Sequence, residues 1–422
     1  MPLLIQTWPA EAQNNPDAPG KIKILFLEQQ SWLSGAQKVL ESVLDAVIPE
    51  FEPLVVFPDR GQFTKKLEGR NIATCFFPLG SYRSGRKSLF ETLSFSARSV
   101  VCGMKLARLI RRRNVKLVYV NGPRCLPAGV IAACLTGRPV LFHLHSTLRR
   151  KQEIMLVAYL ARYVARVVAC SRATAQPLVG ANLALDRQIQ VLYNLALTMA
   201  GAVPSFKEVA EASGCITLGM VGRITESKGH LQLLNSVGKL SPEIQKQIRL
   251  VFVGAPSPGN VADLAYARRL KDCAQRLNLQ SRITWAGYQA DPRPFYESMD
   301  ALIQPSSHEA GEGMPLAILE AFREGLPVIA SRTGGIPEIL QDGVNGLLFP
   351  PGDDAALAQA LDGFLRDSKL RARLRAGSRA TLTDRFSVEN FQSEIRSLIQ
   401  ELVGSETPSK TQAAHGELAA WM

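Results

Sequence analysis

Two glutamates eight positions apart, Glu312 and Glu320, and two cations, Arg223 and Lys228, are the residues whose types and spacing suit a charged ligand. Glu312 follows the apolar run ALIQPS through a short loop that also holds Glu309. Pro315 is expected at the first position of a helix that Gly325 closes ahead of Pro327. Glu320 then falls on the second turn. The N–H groups between Gly313 and Leu316 have no helical acceptor, which makes an anion site suited to a diphosphate. A carboxylate beside that site repels phosphate, so it is better placed to accept hydroxyl hydrogen bonds. Two carboxylates flanking a diphosphate suit a sugar nucleotide, one toward the ribose and one toward the sugar. Arg223 ends the run ITLGMVG after Gly222, and Lys228 lies at the start of the next helix, near Gly229 or His230. Each charge-assisted contact from them to phosphate is worth on the order of 1.5 to 3 kcal/mol. Together they would neutralise a departing diphosphate without a metal, and no Asp-x-Asp pair or His/Cys cluster marks a metal site.

Residues at these positions need strand ends and helix starts to hold them. Apolar runs alternate with longer helical patterns, the signature of parallel sheets built from βαβ units. Seven runs lie in the first half: 22–27, 53–57, 72–77, 117–120, 140–144, 167–170 and 189–192. Six lie in the second: 216–221, 250–253, 283–286, 301–304, 328–330 and 347–349. The pattern weakens near 195–215, which places the boundary there. The expected fold class is therefore α/β, two doubly wound Rossmann-like domains facing across a cleft, with ligands outside the carboxyl ends of the strands. The division is 1–19 a disordered arm, 20–198 a first Rossmann-like domain, 199–403 a second with a final helix near 388–403, and 404–422 a disordered tail.

Composition excludes several classes. With 422 residues and 46% apolar content the chain can bury two cores. Seven scattered cysteines without CxxC spacing indicate neither a disulfide framework nor a zinc site. The net charge of +12 is uneven: from Arg60 to Arg172 there are 22 basic and 3 acidic residues. That half should favour an anionic partner. The segment Arg149–Arg166 mixes apolar residues with cations at both ends, and it reads equally as a helix lying on a membrane surface or as an ordinary packed helix. Arg162 and Arg166 argue against its spanning one, and the amino terminus lacks the pattern of a signal peptide. A cytoplasmic protein, either soluble or peripheral on the cytoplasmic membrane face, is the expectation.

The segments GRITESKG (222–229), EGMPLAILEAFREGLPVIAS (312–331) and TGGIPEIL (333–340) strongly resemble glycosyltransferase family 4, with its two-domain GT-B fold and its E-x7-E pair present as Glu312 and Glu320. The resemblance runs over residues 20–400 in order and spacing. It implies that Arg223 and Lys228 bind the donor diphosphate, with Gly222 and Gly313, Met314, Pro315 and Leu316 around it. Glu320 would take the ribose hydroxyls and Glu312 the transferred sugar near the reacting carbon. The segment SGAQKVL (34–40) resembles the family's Gly-Gly-Ala-Glu loop, in which Gly35 and Ala36 let the backbone approach the donor. Ser34 and Gln37 depart from it, standing where Gly and Glu are usual. His145, after the run VLFHL, matches the family's active-site histidine, and His143 points the same way on an ideal strand. The resemblance also implies a final helix packing back toward the first domain.

The function so implied is a retaining, metal-independent hexosyltransferase. It moves a sugar from a nucleotide-diphosphate donor to a lipid-linked or polysaccharide acceptor in cell-envelope or exopolysaccharide synthesis, and it needs no cofactor. Three other classes are a catalytically inactive module of the same fold, a sugar-nucleotide epimerase, and a nucleic-acid binder using the basic half. Few aromatics interleave with the cations, which disfavours the last.

Overall fold

The computed structural model describes residues 21–77, 89–196, 215–257, 259–382 and 386–404. The expected arm and tail, and most of the weakly patterned stretch before 215, lie outside the described residues. The strands are β1 (Ile22–Glu28), β2 (Phe51–Phe57), β3 (Ala73–Phe76), β4 (Val115–Asn121), β5 (Val140–Leu144), β6 (Arg166–Ala169), β7 (Ile189–Val191), β8 (Ile216–Val221), β9 (Ile248–Val253), β10 (Ile283–Gly287), β11 (Ala301–Gln304), β12 (Val328–Ser331) and β13 (Gly346–Phe349). Each of the thirteen apolar runs is one of these strands, displaced at its ends by two residues at most.

The described residues form two compact units, one reaching Tyr193 and resuming at Glu389, the other Asn194–Val388. The first holds a seven-stranded sheet ordered β3-β2-β1-β4-β5-β6-β7, and the second a six-stranded sheet ordered β10-β9-β8-β11-β12-β13. All pairings are parallel. Such strands are covered on both faces and must be apolar throughout, as the buried Leu25, Val118 and Phe142 are in one unit and Leu250, Ile303 and Ile329 in the other. In each sheet the direction of winding reverses beside the first strand, between β1 and β4 and between β8 and β11. A doubly wound sheet opens a ligand crevice at the carboxyl end of that switch point.

The last helix, Val388–Gly404, follows the second unit in sequence but packs in the first. Phe391, Ile395, Leu398, Ile399 and Leu402 form its buried stripe. Gln392, Arg396 and Gln400, each four residues on, run along the helix Gly35–Val47. Arg396 Nε donates to the Ala46 carbonyl at 2.9 Å and Gln400 Nε2 to Glu50 Oε2 at 2.6 Å. Arg166 adds an ion pair to Glu401 at 2.9 Å. The expected packing back toward the first half is therefore observed.

Candidate active site

In the second unit the switch point brings together the loops after β8 and β11. Gly229 has a left-handed φ of 77°, and a Cβ there would meet the Pro305 carbonyl oxygen at 1.9 Å, so only glycine allows this approach. Ser307 N–H donates to the Ser227 carbonyl at 2.8 Å, fastening the same two loops. The fastening sets Lys228 opposite Glu312, with Nζ 2.6 Å from Oε1. Ser306 Oγ donates to that oxygen at 2.7 Å and Gln304 Nε2 at 3.2 Å. Burial pushes the Glu312 carboxyl up, but the Lys228 ammonium and the bonds from Lys228, Ser306 and Gln304 outweigh it and hold the group below the ordinary carboxylate value. The Glu312 carbonyl is also in use, since Gly335 N–H donates to it at 3.0 Å and a Cβ on Gly334 would meet it at 1.9 Å. The Gly334-Gly335 pair thus clamps Glu312 from the other side.

The helix that follows runs Leu316–Arg323, with Pro315 at the cap position in extended conformation, φ −70° and ψ 118°. The expectation of Pro315 at the first helical position is corrected by one residue: its ψ lies outside the helical range, so Leu316 opens the helix. Gly311 through Leu316 are all buried. At the far end Gly325 N–H donates to Phe322 O and Leu326 N–H to Ala321 O, both at 2.9 Å, the paired closure that a left-handed Gly325 permits. Glu320 is buried on the second turn and accepts the Tyr296 hydroxyl hydrogen at 2.9 Å. Asn194 Nδ2 donates to the Met314 carbonyl at 2.9 Å just ahead of the helix start. Tyr296, Gln304, Ser306 and Asn194 were not singled out in the sequence, where Gln304 read as the end of an apolar run. Arg223 is exposed. Lys228 is therefore committed to a carboxylate while Arg223 makes no ion pair among the described residues.

In the first unit Gly35 opens the helix Gly35–Val47 after Ser34. Gly35 is exposed and Ala36 half-buried, while Gln37 turns inward and is fully buried. Its Nε2 donates to Glu28 Oε1 at 2.8 Å, and its Oε1 accepts from Ser34 Oγ. Glu28 and Asn121 are in register at the carboxyl ends of β1 and β4, and Asn121 and His143 across β4 and β5. Asn121 Nδ2 donates to Glu28 Oε2, and its Oδ1 lies 2.6 Å from His145 Nε2. His143 is fully buried with Nδ1 2.5 Å from the Tyr119 hydroxyl, and its ring centroid lies 3.9 Å from that of His145, the two planes tilted by 37°. His145 is the more exposed of the two. Burial holds both imidazoles neutral, His145 down to about 3, and pushes Glu28 up to about 7 against its hydrogen bonds. Glu28 and Asn121 are the functional candidates that sequence reasoning missed. The signal was a charged residue ending an otherwise apolar strand.

Two family models match in succession, "Glycosyltransferase Family 4" over residues 34–195 and "Glycosyl transferases group 1" over residues 204–381. The chain belongs to glycosyltransferase family 4. Among its family 4 relatives, the lipopolysaccharide core biosynthesis glycosyltransferase LpsE of Rhizobium meliloti is 32% identical over 211 residues, 49% of this chain and 56% of that one. A D-inositol 3-phosphate glycosyltransferase of Stackebrandtia nassauensis is 36% identical over 170 residues, 39% of this chain and 37% of that one. The chain spans about half the length of the curated relatives it matches. Among solved structures, Anabaena HepE in complex with UDP-glucose aligns with a TM-score of 0.73 at 23% identity, covering 90% of this chain and 100% of that one. At that identity the likeness shows the shared fold.

Proposed function

We propose that the chain is a retaining glycosyltransferase that moves a sugar from a nucleoside-diphosphate sugar to a lipid-linked or polysaccharide acceptor in cell-envelope or exopolysaccharide synthesis. The observation that carries this reading is the pair of half-buried Lys228 with buried Glu312 ahead of the Leu316–Arg323 helix, with Glu320 held by Tyr296 on that helix. In this reading the diphosphate lies over the helix start, where the dipole and free N–H groups favour an anion. Arg223 supplies a cation not already neutralised, and Lys228 is shared between Glu312 and phosphate. The carbon–oxygen bond to the diphosphate breaks, the acceptor oxygen forms the new bond on the face the diphosphate leaves, and the acceptor's hydroxyl proton passes to the departing diphosphate oxygen. Electrostatic stabilisation of the departing diphosphate is the largest contribution, and it calls for no metal.

The names of relatives support the acceptor class, since LpsE is a lipopolysaccharide core enzyme and a capsular polysaccharide enzyme of Staphylococcus aureus is 22% identical over 313 residues. No helix of the described residues is long and apolar enough to cross a membrane. The helix Lys151–Ala161 buries Val157, Ala158 and Ala161 but leaves Met155, Leu156 and Tyr159 each 52% exposed, near Arg149, Arg150, Lys151 and Arg162. Both readings of this segment thus have support: one face packs, and the other suits an anionic membrane surface on the cytoplasmic side, where an acceptor lipid would be found.

A thermal-shift panel of UDP, GDP, ADP, CDP and dTDP without metal tests the donor site. A ligand at 100 times its dissociation constant adds about 2.7 kcal/mol of stability. One diphosphate should stabilise the wild type and fail to stabilise Arg223→Ala. No response to any of the five would sink the proposal.

A further inference from the structure

The first unit contains a buried carboxylate that no cation faces. Glu28 lies at the switch point, 1% exposed, with no ion pair among the described residues. It accepts from Gln30 N–H at 3.0 Å, Gln37 Nε2 at 2.8 Å and Asn121 Nδ2, which uses both oxygens. Because a carboxylate only accepts, Asn121 must turn its amide nitrogen to Glu28 and its oxygen to His145. His145 must then carry its proton on Nε2, and its Nδ1 is left a buried acceptor with no partner among the described residues. The tautomer of the family's active-site histidine is thereby dictated from Glu28, two hydrogen bonds away. The same carboxylate holds Gln37, on the first turn of the helix Gly35–Val47, in the segment that departs from the family pattern. A glutamate at 37 would set two carboxylates at hydrogen-bond distance, whereas the amide donates.

We propose that Glu28 is a positioning residue for His145 and for the Ser34–Gln37 loop: ionised, it fixes His145 as the Nε2–H tautomer through Asn121, and on protonation it reverses the hydrogen-bond direction along that relay. In the reversed state the Glu28 hydroxyl donates to Asn121 Oδ1 after the amide turns over, and Oε1 still accepts from Gln30 and Gln37. Asn121 Nδ2 then donates to His145 Nε2, and the imidazole proton is exchanged to Nδ1. One proton is taken up, at Glu28, and the imidazole stays neutral throughout. The other titratable groups facing the carboxylate leave it in control. Burial pushes the Tyr119 hydroxyl and the Cys125 thiol well up, so both stay neutral, and His143 stays neutral beside Tyr119. Arg124, on the turn Pro123–Cys125, is bound to the Gln29 carbonyl at 3.3 Å. The burial of Glu28, which raises its carboxyl to about 7, brings the reversal within the working range of pH.

This inference rests on the reading of His145 as part of the sugar-transfer site, and two separate readouts distinguish the failures. The full chain labelled with ¹⁵N-histidine, its resonances assigned with His145→Ala, reports the tautomer. In the wild type His145 should be the Nε2–H form above pH 7 and the Nδ1–H form below it. Glu28→Gln, which presents an amide nitrogen to Asn121, should be locked in the Nδ1–H form at every pH. Its kcat should fall on the order of tenfold with the donor KM nearly unchanged, as a misoriented group costs rate more than ground-state binding. Gln37→Glu should move the tautomer midpoint up by about one pH unit or more through like-charge repulsion. An Nε2–H tautomer retained by Glu28→Gln, or a wild-type tautomer independent of pH, would overturn the relay, and the wild-type measurement needs no variant to fold. Wild-type transfer by His145→Ala would instead remove the reading of His145 and the activity part of the proposal, leaving the tautomer data to judge the relay by itself.

Discussion

Each unit places a buried glutamate near the carboxyl end of the strands at its switch point, and the two glutamates titrate in opposite directions. Glu28 has amides around it and is pushed up to about 7; Glu312 has Lys228 at 2.6 Å and is held below the ordinary value. Burial is common to both, so the difference is the cation. The comparison teaches that one sheet topology can supply either a carboxylate that remains charged, suited to holding hydroxyls beside a diphosphate, or one that changes protonation state near neutral pH.

Removing the cation should produce the largest effect. Lys228→Ala leaves Glu312 buried without the Lys228 ammonium, which costs about 3 kcal/mol in urea unfolding, and kcat/KM for the donor should fall on the order of a thousandfold, about 4 kcal/mol. Unchanged stability would mean that Glu312 does not depend on its partner. The opposite manipulation is Glu28→Gln. Folded Glu28 keeps its proton up to about pH 7 against an ordinary 4.5, so its contribution to stability is full below pH 4.5 and is lost as pH rises through 7. The amide variant has no such loss. Its Tm relative to wild type should rise from pH 4.5 to 8, a differential of about 3 kcal/mol at most. A flat difference would show that Glu28 titrates normally.

Gly229→Ala tests the fastening of the two second-unit loops. Its Cβ must displace the Pro305 carbonyl at a left-handed φ, so a loss of about 2 kcal/mol is expected, with weakened donor binding in the thermal-shift panel. The smallest effect is expected from Tyr296→Phe, which removes one hydrogen bond to Glu320. A rise of about fivefold in donor KM with little change in kcat corresponds to about 1 kcal/mol of binding. A loss in kcat alone would show that Glu320 acts on the transition state rather than on the ground state.

The sequence carried the strands well because parallel strands covered on both faces must be runs of Val, Ile, Leu and Phe. The runs 216–221 and 301–304 coincide with β8 and β11 to the residue. Helix ends were less legible. Pro315 suits either a cap or a first helical position, and only its ψ decides between them. Within the site, the types and spacing of Arg223, Lys228, Glu312 and Glu320 pointed to a diphosphate with hydroxyl groups on either side. That Lys228 and Glu312, 84 positions apart, form one ion pair was not legible.

The residues alone determined two doubly wound sheets and the family to which the loops after β8 and β11 belong, because strand periodicity and local loop chemistry are written in contiguous segments; the strand order, and with it each switch point, came from the structure. Tertiary structure alone decided which groups neutralise one another. Glu28 reaches Asn121 across β1 and β4, Glu320 takes its hydrogen bond from Tyr296, and Val388–Gly404 returns to the first unit. Charge state and tautomer depend on burial and on partners brought from distant parts of the chain, and neither quantity is local in sequence.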